Sequence, residues 1–429
     1  MLVSKKNEVY LQITDISSSE SAELSDFFTF EVPGFKFMPA YRNRIWDGKI
    51  RLYSPATGEI YCGLLSYVKD YCKNNNIKYT IAEGVEDERN VVRQVVGGFI
   101  TSLKAKSKGK SLEIRDYQIE AVRLALSRNR CLIVSPTASG KSLIIYALVR
   151  YYHIYKLPKK YFEQFGCVIG DEAHLFKAKS LTGIMTRLHQ CKYRFGLTGT
   201  LDGTQTHRLV LEGLFGAVEN VTTTKELMDK KSLADLKIKC IVLVHPNIRE
   251  KMTYVEELEY LVTNDVRNKF IIDLCRNIPG NTLCLFQLVE KHGKVLYEQA
   301  NNVIKDRKVF FVYGGTDTKT RENIRSIVEN EKDSIIIASY GTFSTGINIR
   351  NINNIVFASP SKSKIRVLQS IGRGLRISKN KNSILVFDIA DDISYNERRN
   401  FTLTHFTERI NIYNEQQFAY EISRVNLPL

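Results

Sequence analysis

The chain is short of the features that would place it among several common classes. It has one tryptophan, five methionines and nine prolines in 429 residues. Its eight cysteines are scattered with no CxxC pair, so neither a disulfide framework nor a zinc ribbon is expected. No apolar run approaches the ~20 residues a membrane helix needs. The opening stretch MLVSKKNEVYLQ has no apolar core of the kind a secretory signal carries. A cytoplasmic protein with no membrane partner is therefore expected. Acidic residues are in deficit, 46 against 62 lysines and arginines, for a net charge of +16. With 43% hydrophobic and 25% charged residues, the composition is that of a globular chain, not a disordered, collagenous or coiled-coil one.

The positive excess is spread along the chain: +3 over residues 1–110, +7 over 111–225 and +6 over 226–429. Such a distribution suits a polyanion that touches several domains, most simply a nucleic acid. Ordinary surface lysine is the alternative.

Residues 1–82 read as a small α+β unit. Val9–Ile13 and Phe28–Phe37 have strand character, and Gly63–Asn76 has a helical apolar face. The polar stretches IAEGVEDERN and KAKSKGK give residues 83–110 the character of a linker. From Arg115 onward the pattern changes. A helix over Asp116–Ser127 is followed by short continuous apolar runs, among them Cys131–Ser135, Cys167–Ile169, Phe195–Leu197, Thr282–Leu288, Ile335–Ala338 and Ile384–Phe387. Helix-length segments lie between several of them. Buried strands alternating with helices imply parallel sheets covered on both faces. Two α/β halves are expected, 111–225 and 226–429.

Three stretches carry chemistry. Ser135-Pro136-Thr137-Ala138-Ser139-Gly140-Lys141-Ser142 follows a strand and opens a helix, the setting of a phosphate loop. Lys141 would neutralise phosphate and Ser142 would offer a hydroxyl to Mg²⁺. The usual first glycine of that pattern is Ser135 here, and a plain helix N-cap is the bland alternative. Asp171-Glu172-Ala173-His174 follows a second strand. A carboxylate there can hold Mg²⁺, and its neighbour can take a proton from an attacking water. The segment Gln369–Arg376 carries Arg373 and Arg376, three apart on an expected helix and so on one face, as cations that stabilise transferring phosphate. In the N-terminal unit, Arg42, Arg44, Trp46, Lys49 and Arg51 interleave an aromatic ring with positive charge. This fits a DNA-binding surface as well as a hairpin anchored by Trp46.

RDYQ (115–118), SPTASGKS (135–142), DEAH (171–174), LTGT (197–200), SYGTFSTGINI (339–349) and QSIGRGLR (369–376) occur in the order of motifs Q, I, II, III, V and VI. Together they resemble superfamily 2 helicases of the DEAH type. The N-terminal text FFTFEVPGFKFMPAYRNRIWDGKIRLY and KSKIRVLQSIGR are similar to the UvsW-like recombination helicases of T-even phages. The resemblance implies two RecA-like lobes with ATP between them, Mg²⁺ as cofactor, and host cytoplasm as the compartment. It also implies branched DNA as substrate, recombination and replication proteins as partners, and a monomer. By the same resemblance Gln118 corresponds to the adenine-reading glutamine, residues 135–142 to the phosphate and Mg²⁺ ligands, Asp171 to the Mg²⁺ carboxylate and Glu172 to the general base. His174, Thr198, Thr200 and Gln369 correspond to coupling residues, Gly346 to the motif V loop, and Arg373 and Arg376 to the fingers.

One departure stands out. Only 30 residues separate Lys141 from Asp171, and nothing matches motifs Ia and Ib, which grip the nucleic-acid backbone in this superfamily. Lobe 1 is expected to be shortened, with Cys131–Ser135 and Cys167–Ile169 pairing directly. A nucleic-acid-binding protein with an impaired ATPase, and an RNA helicase, are the competing readings.

Overall fold

The computed structural model describes residues 1–86, 89–107, 110–153, 165–177, 179–201, 205–246, 248, 250–345, 349–361, 363–378, 381–396 and 398–428. Two units emerge: residues 1–135 with 140–222, and 136–139 with 223–429.

In the first unit the N-terminal residues form a five-stranded sheet, in which Leu2–Lys5 pairs antiparallel with Tyr10–Thr14 and parallel with Thr80–Ile81. The expected Phe28–Phe37 strand is cut short. Thr29–Glu31 pairs with Lys49–Arg51, and Pro33-Gly34 then turns the chain, with Gly34 at φ +75°. The helix Leu65–Asn74 buries Val68, Tyr71 and Cys72, a one-face pattern.

This sheet shares its core with the α/β part of the same unit. Val3, Leu11, Leu64 and Val68 cluster with Leu132, Met185, Leu209 and Phe215. At the seam, a Cβ on Gly63 would come within 1.7 Å of the Glu212 carbonyl oxygen, so only glycine lets the two backbones approach there. Within the stretch read as a linker, Arg93–Ser102 is a helix. Its Val96 and Ile100 are buried with Ala121, Val122 and Ile133.

The α/β part carries a parallel four-stranded sheet in the order Cys167–Gly170, Tyr193–Thr198, Arg130–Val134, Val218–Asn220. The strands before the phosphate loop and before Asp171 therefore do not pair, contrary to expectation. Tyr193–Thr198 lies between them. Its continuous burial explains the placement: five of its six residues are buried, whereas Cys167–Gly170 buries only Gly170. A run buried on both faces takes the interior position and a half-buried one takes the edge.

The second unit has a seven-stranded sheet in the order Lys308–Val312, Ser334–Ser339, Thr282–Phe286, Asn354–Phe357, Ser383–Asp392, Asp235–Val244, Tyr420–Asn426, with every pair parallel. Ile271, Ile272, Phe286, Leu296, Ile335, Ile337 and Val356 belong to one buried core. The fold is that of two parallel-sheet α/β lobes with a small N-terminal domain. Among the described residues no helix is long and apolar enough to cross a membrane.

Candidate nucleotide and nucleic-acid site

Parallel pairing sets the site in lobe 1. Val134 stands opposite Thr198, and Gly170 opposite Gly196. The residues following all three strands therefore emerge at one carboxyl edge, where ligands bind in open α/β sheets. Ser135 is pinned there by its backbone N–H donating to the Thr198 carbonyl at 2.9 Å.

Between Ser135 and the helix Lys141–His153 the chain makes a tight turn. Ala138 (φ +67°) and Gly140 (φ +85°) both lie in the left-handed region. Left-handed residues in such a turn direct successive N–H groups inward, and the helix start adds its own positive end, so the turn suits an anion. Ser139 closes the turn, its N–H donating to the Pro136 carbonyl at 3.2 Å. Lys141 Nζ donates to the Ser135 carbonyl at 3.2 Å, which folds its ammonium over the turn. Ser142 is exposed.

Gln118 is 4% exposed. Its Oε1 accepts from the Arg115 N–H at 3.0 Å and its Nε2 donates to the Gly140 carbonyl at 3.3 Å. The glutamine is thus tied to the turn itself.

Asp171 is exposed, and its Oδ1 accepts the Glu172 N–H at 2.9 Å. Glu172 adopts φ +49°, a strained conformation for a side chain with a Cβ. His174 Nδ1 lies 2.9 Å from Thr198 Oγ1 and 3.4 Å from Glu172 Oε2. The Thr198 hydroxyl donates its only proton to the Thr200 carbonyl at 3.0 Å. It can therefore only accept from His174, which fixes the tautomer with the proton on Nδ1. Glu172, His174, Thr198 and Thr200 form one chain of contacts across two strand ends.

Two oxygen donors for a hard cation, Ser142 and Asp171, come after Arg130–Val134 and Cys167–Gly170, the two strands that flank Tyr193–Thr198 at the same edge, and oxygen ligands suit Mg²⁺.

In the second unit, Ser363 caps the helix Lys364–Gly374, its Oγ accepting from the Arg366 N–H at 3.4 Å. Val367, Ser370, Ile371 and Gly374 are buried at helical spacing. Arg373 lies in the last turn. The helix ends at Gly374 with Leu375 as its C-cap, so Arg376 follows the helix and does not share a helical face with Arg373. The helix end packs close on the sheet: a Cβ on Gly374 would meet Ile384 Cδ1 at 2.1 Å and Ile355 Cδ1 at 2.8 Å, so only glycine fits there. Burial, and then the Arg373 and Arg350 charges, push the Arg376 guanidinium below its ordinary value. Gln369 is half-buried on this helix. Gly346 lies outside the described residues; the start of its motif is held by Ser339 and Thr342, whose hydroxyls are 2.8 Å apart.

The N-terminal basic stretch is a surface arm. Arg42, Arg44, Lys49 and Arg51 are exposed, and Phe37 and Ile45 are each 78% exposed. Arg51 pairs with Asp47. Trp46 is half-buried, and its Nε1 donates to the Lys49 carbonyl at 2.9 Å.

Sequence reasoning missed several buried polar features of the second unit, the following among them. Arg267 and Asp391 pair at 2.7 Å with neither side chain exposed, and His245 Nε2 lies 3.0 Å from the same Asp391 oxygen. Lys381 is 3% exposed. A 124-residue separation and a lysine in a polar stretch give no local signal of burial.

Comparison with known proteins agrees with this architecture. The family of the UvsW DNA helicase N-terminal domain matches residues 7–82, and the helicase conserved C-terminal domain matches residues 266–378. The ATP-dependent DNA helicase uvsW of Enterobacteria phage T4 is 31% identical over 492 aligned positions, covering 96% of this chain and 97% of the relative. Because 96% of 429 residues is about 412, about 80 positions of that relative face no residue here. A crystal structure of T4 UvsW covers 100% of this chain and 99% of that one at 30% identity, with a TM-score of 0.47. A fragment of a putative HsdR subunit of a type I restriction enzyme from Vibrio vulnificus YJ016 shares the fold, with a TM-score of 0.56 at 14% identity, covering 89% of this chain and 77% of that one. With close to a third of its residues identical over nearly the whole length of both chains, this protein belongs to the UvsW family of phage DNA helicases and is a helicase-type ATPase.

Proposed function

We propose that the chain is an ATP-driven DNA helicase and translocase acting on branched DNA, such as junctions, forks, D-loops or R-loops, in phage recombination, repair and replication. The observation that carries this reading is the single carboxyl edge shared by the phosphate-loop turn, Asp171-Glu172 and Thr198, with His174 spanning the last two. Lys141 and the inward N–H groups of the turn bind the triphosphate. Ser142 and Asp171 would hold Mg²⁺, which when bound offsets phosphate charge. Glu172, bent out by its left-handed backbone, takes the proton of the attacking water. Arg373 and Arg376 are the cationic partners of the γ-phosphate. His174 and Thr198 relay the state of the Glu172 carboxylate to Thr200. The arm bearing Arg42, Arg44, Trp46 and Lys49 grips duplex DNA near the branch.

The test is ATP turnover without DNA, with linear duplex, with a four-way junction and with RNA, using Lys141→Ala as control. Turnover stimulated most by the junction, and abolished in Lys141→Ala, is expected. No turnover with any nucleic acid would favour a binding protein with an impaired ATPase, and RNA stimulation equal to that of the junction would favour an RNA helicase.

A further inference from the structure

Lys381 has no role in the sites described above, yet it occupies a demanding position. Its side chain is buried, at 3% exposure, and among the described residues it has no carboxylate partner. Its Nζ instead donates to two backbone carbonyls. One is that of Gly374, the last residue of the helix that carries Arg373; the other, at 3.3 Å, is that of Arg350, which follows the motif V stretch. The preceding peptide is held as well, because the Arg350 N–H donates to Glu329 Oε1 at 2.9 Å. The next carbonyl along, that of Leu375, accepts from the Ala234 N–H at 2.8 Å. The end of the Arg373 helix is thus clamped at two successive carbonyls, and one of the two clamps reaches motif V.

An ammonium is costly to bury. A helix C-terminus is where a cation recovers part of that cost, through unpaired carbonyls and the negative end of the dipole. A carboxylate at the same place would instead compete for the nearby guanidiniums.

We propose that Lys381 is a positioning residue for hydrolysis: by bridging the Gly374 and Arg350 carbonyls it fixes Arg373 and Arg376 relative to motif V. The proposal rests on the assignment of those two arginines to the γ-phosphate.

Burial lowers the Lys381 ammonium from its ordinary 10.5 to about 7. The charged groups on the elements around it include Arg350, Glu329, Arg373 and Arg376, and, on the strand whose N–H donates to the Asn382 carbonyl, Asp235 with its partner Lys231. The sign is as follows. Below that pH the charged clamp is complete; as pH rises through it the proton leaves and the clamp weakens, so kcat falls. Fold stability moves the other way, because between about 7 and 10.5 the unfolded chain binds the extra proton and stability rises with pH. A merely structural lysine would not make kcat fall while the fold grows more stable.

The experiment compares the full chain with Lys381→Met and Lys381→Gln, with ATP and junction DNA, from pH 6 to 9, alongside thermal melts. At pH 6.5, Lys381→Met is expected to lower kcat about tenfold, with KM for ATP within threefold, and to lack the downward step. Lys381→Gln keeps a neutral donor; it is expected to hold kcat within about threefold of wild type at that pH, also without the step. If Lys381→Met does not fold, the Gln variant carries the test, because it must lose the step. A wild-type profile with no step, or Lys381→Met within twofold of wild type throughout, overturns the proposal. Arg373→Ala separates the two levels. If it abolishes turnover while the Lys381 variants behave as wild type, the positioning role alone fails. If it leaves turnover intact, the arginine assignment fails with it.

Discussion

Replacing Thr198 by valine keeps the shape of the side chain and removes its hydroxyl. That hydroxyl is fully buried, lies 2.9 Å from His174 Nδ1, donates to the Thr200 carbonyl at 3.0 Å and accepts weakly from the Thr200 N–H at 3.4 Å. The variant leaves an imidazole N–H and a carbonyl in the interior without these partners. A buried group stripped of its partner costs about 1–3 kcal/mol. Two such groups, with some relaxation of the short 198–200 turn, give about 2–3 kcal/mol. In a unit of this size that lowers Tm by about 4–12 °C, readable by calorimetry. The His174 and Thr198 losses share one hydrogen bond, so they should not add. A cycle of Thr198→Val, His174→Ala and the double variant should show about 1 kcal/mol of coupling. DNA stimulation of ATP turnover should fall more than basal turnover, because His174, whose Nδ1 lies 3.4 Å from Glu172 Oε2, loses the hydroxyl that orients its ring. A melt unchanged within about 1 °C, or strictly additive variants, would refute the network, because those hydrogen bonds would then not exist in solution.

Three further outcomes follow from the same geometry. Glu172→Gln keeps the shape of the side chain and loses the base, so nucleotide should bind tightly and persist without hydrolysis in a filter-binding chase; rapid product release would assign the base elsewhere. Changing Arg42, Arg44 and Lys49 together to alanine should flatten the salt dependence of duplex binding by about 0.9 in log K per decade of salt for each phosphate no longer neutralised; an unchanged slope returns the arm to a folding role. Inserting the unmatched lobe 1 block of a UvsW relative should raise DNA-stimulated turnover at least roughly tenfold, about 1.4 kcal/mol, and equal unwinding by the unaltered chain would show the block to be dispensable.

Much of this was legible because strand ends and motif order are local signals. The apolar runs before Ser135 and Asp171 are strands, and parallel pairing brings their ends together. What stayed hidden depended on distant neighbours. The order of the lobe 1 sheet turned on how deeply Tyr193–Thr198 is buried, which its own composition does not state. The placement of Arg376 turned on the helix ending at Gly374, an end that residue spacing alone does not foresee. The 93–102 helix was obscured by its polar flanks, although its Val96 and Ile100 are four apart and both buried. Lys381 sits in the polar stretch SKNKNS, which carries no local sign of burial. Only the carbonyls around it reveal the clamp.

The short lobe 1 holds together for a reason visible in its strand order. The Arg130–Val134 strand, which delivers the phosphate loop, is paired on both sides, with Tyr193–Thr198 and Val218–Asn220. Its placement does not depend on anything beyond Cys167–Gly170. That last strand is paired on one side among the described residues, and three of its four residues are only half-buried. Thirteen residues separate it from the helix that ends at His153. The alignment leaves about 80 positions of the T4 relative unmatched. If those positions fall between Lys141 and Asp171, as the missing motifs Ia and Ib suggest, the loss lies at the sheet's margin and not at its centre. A marginal loss removes strands that would grip the nucleic-acid backbone, and spares the pairing that holds Ser135, Asp171 and Thr198 at one edge. Nucleotide chemistry and strand grip are then separable properties of this lobe, because they sit on different strands of one sheet.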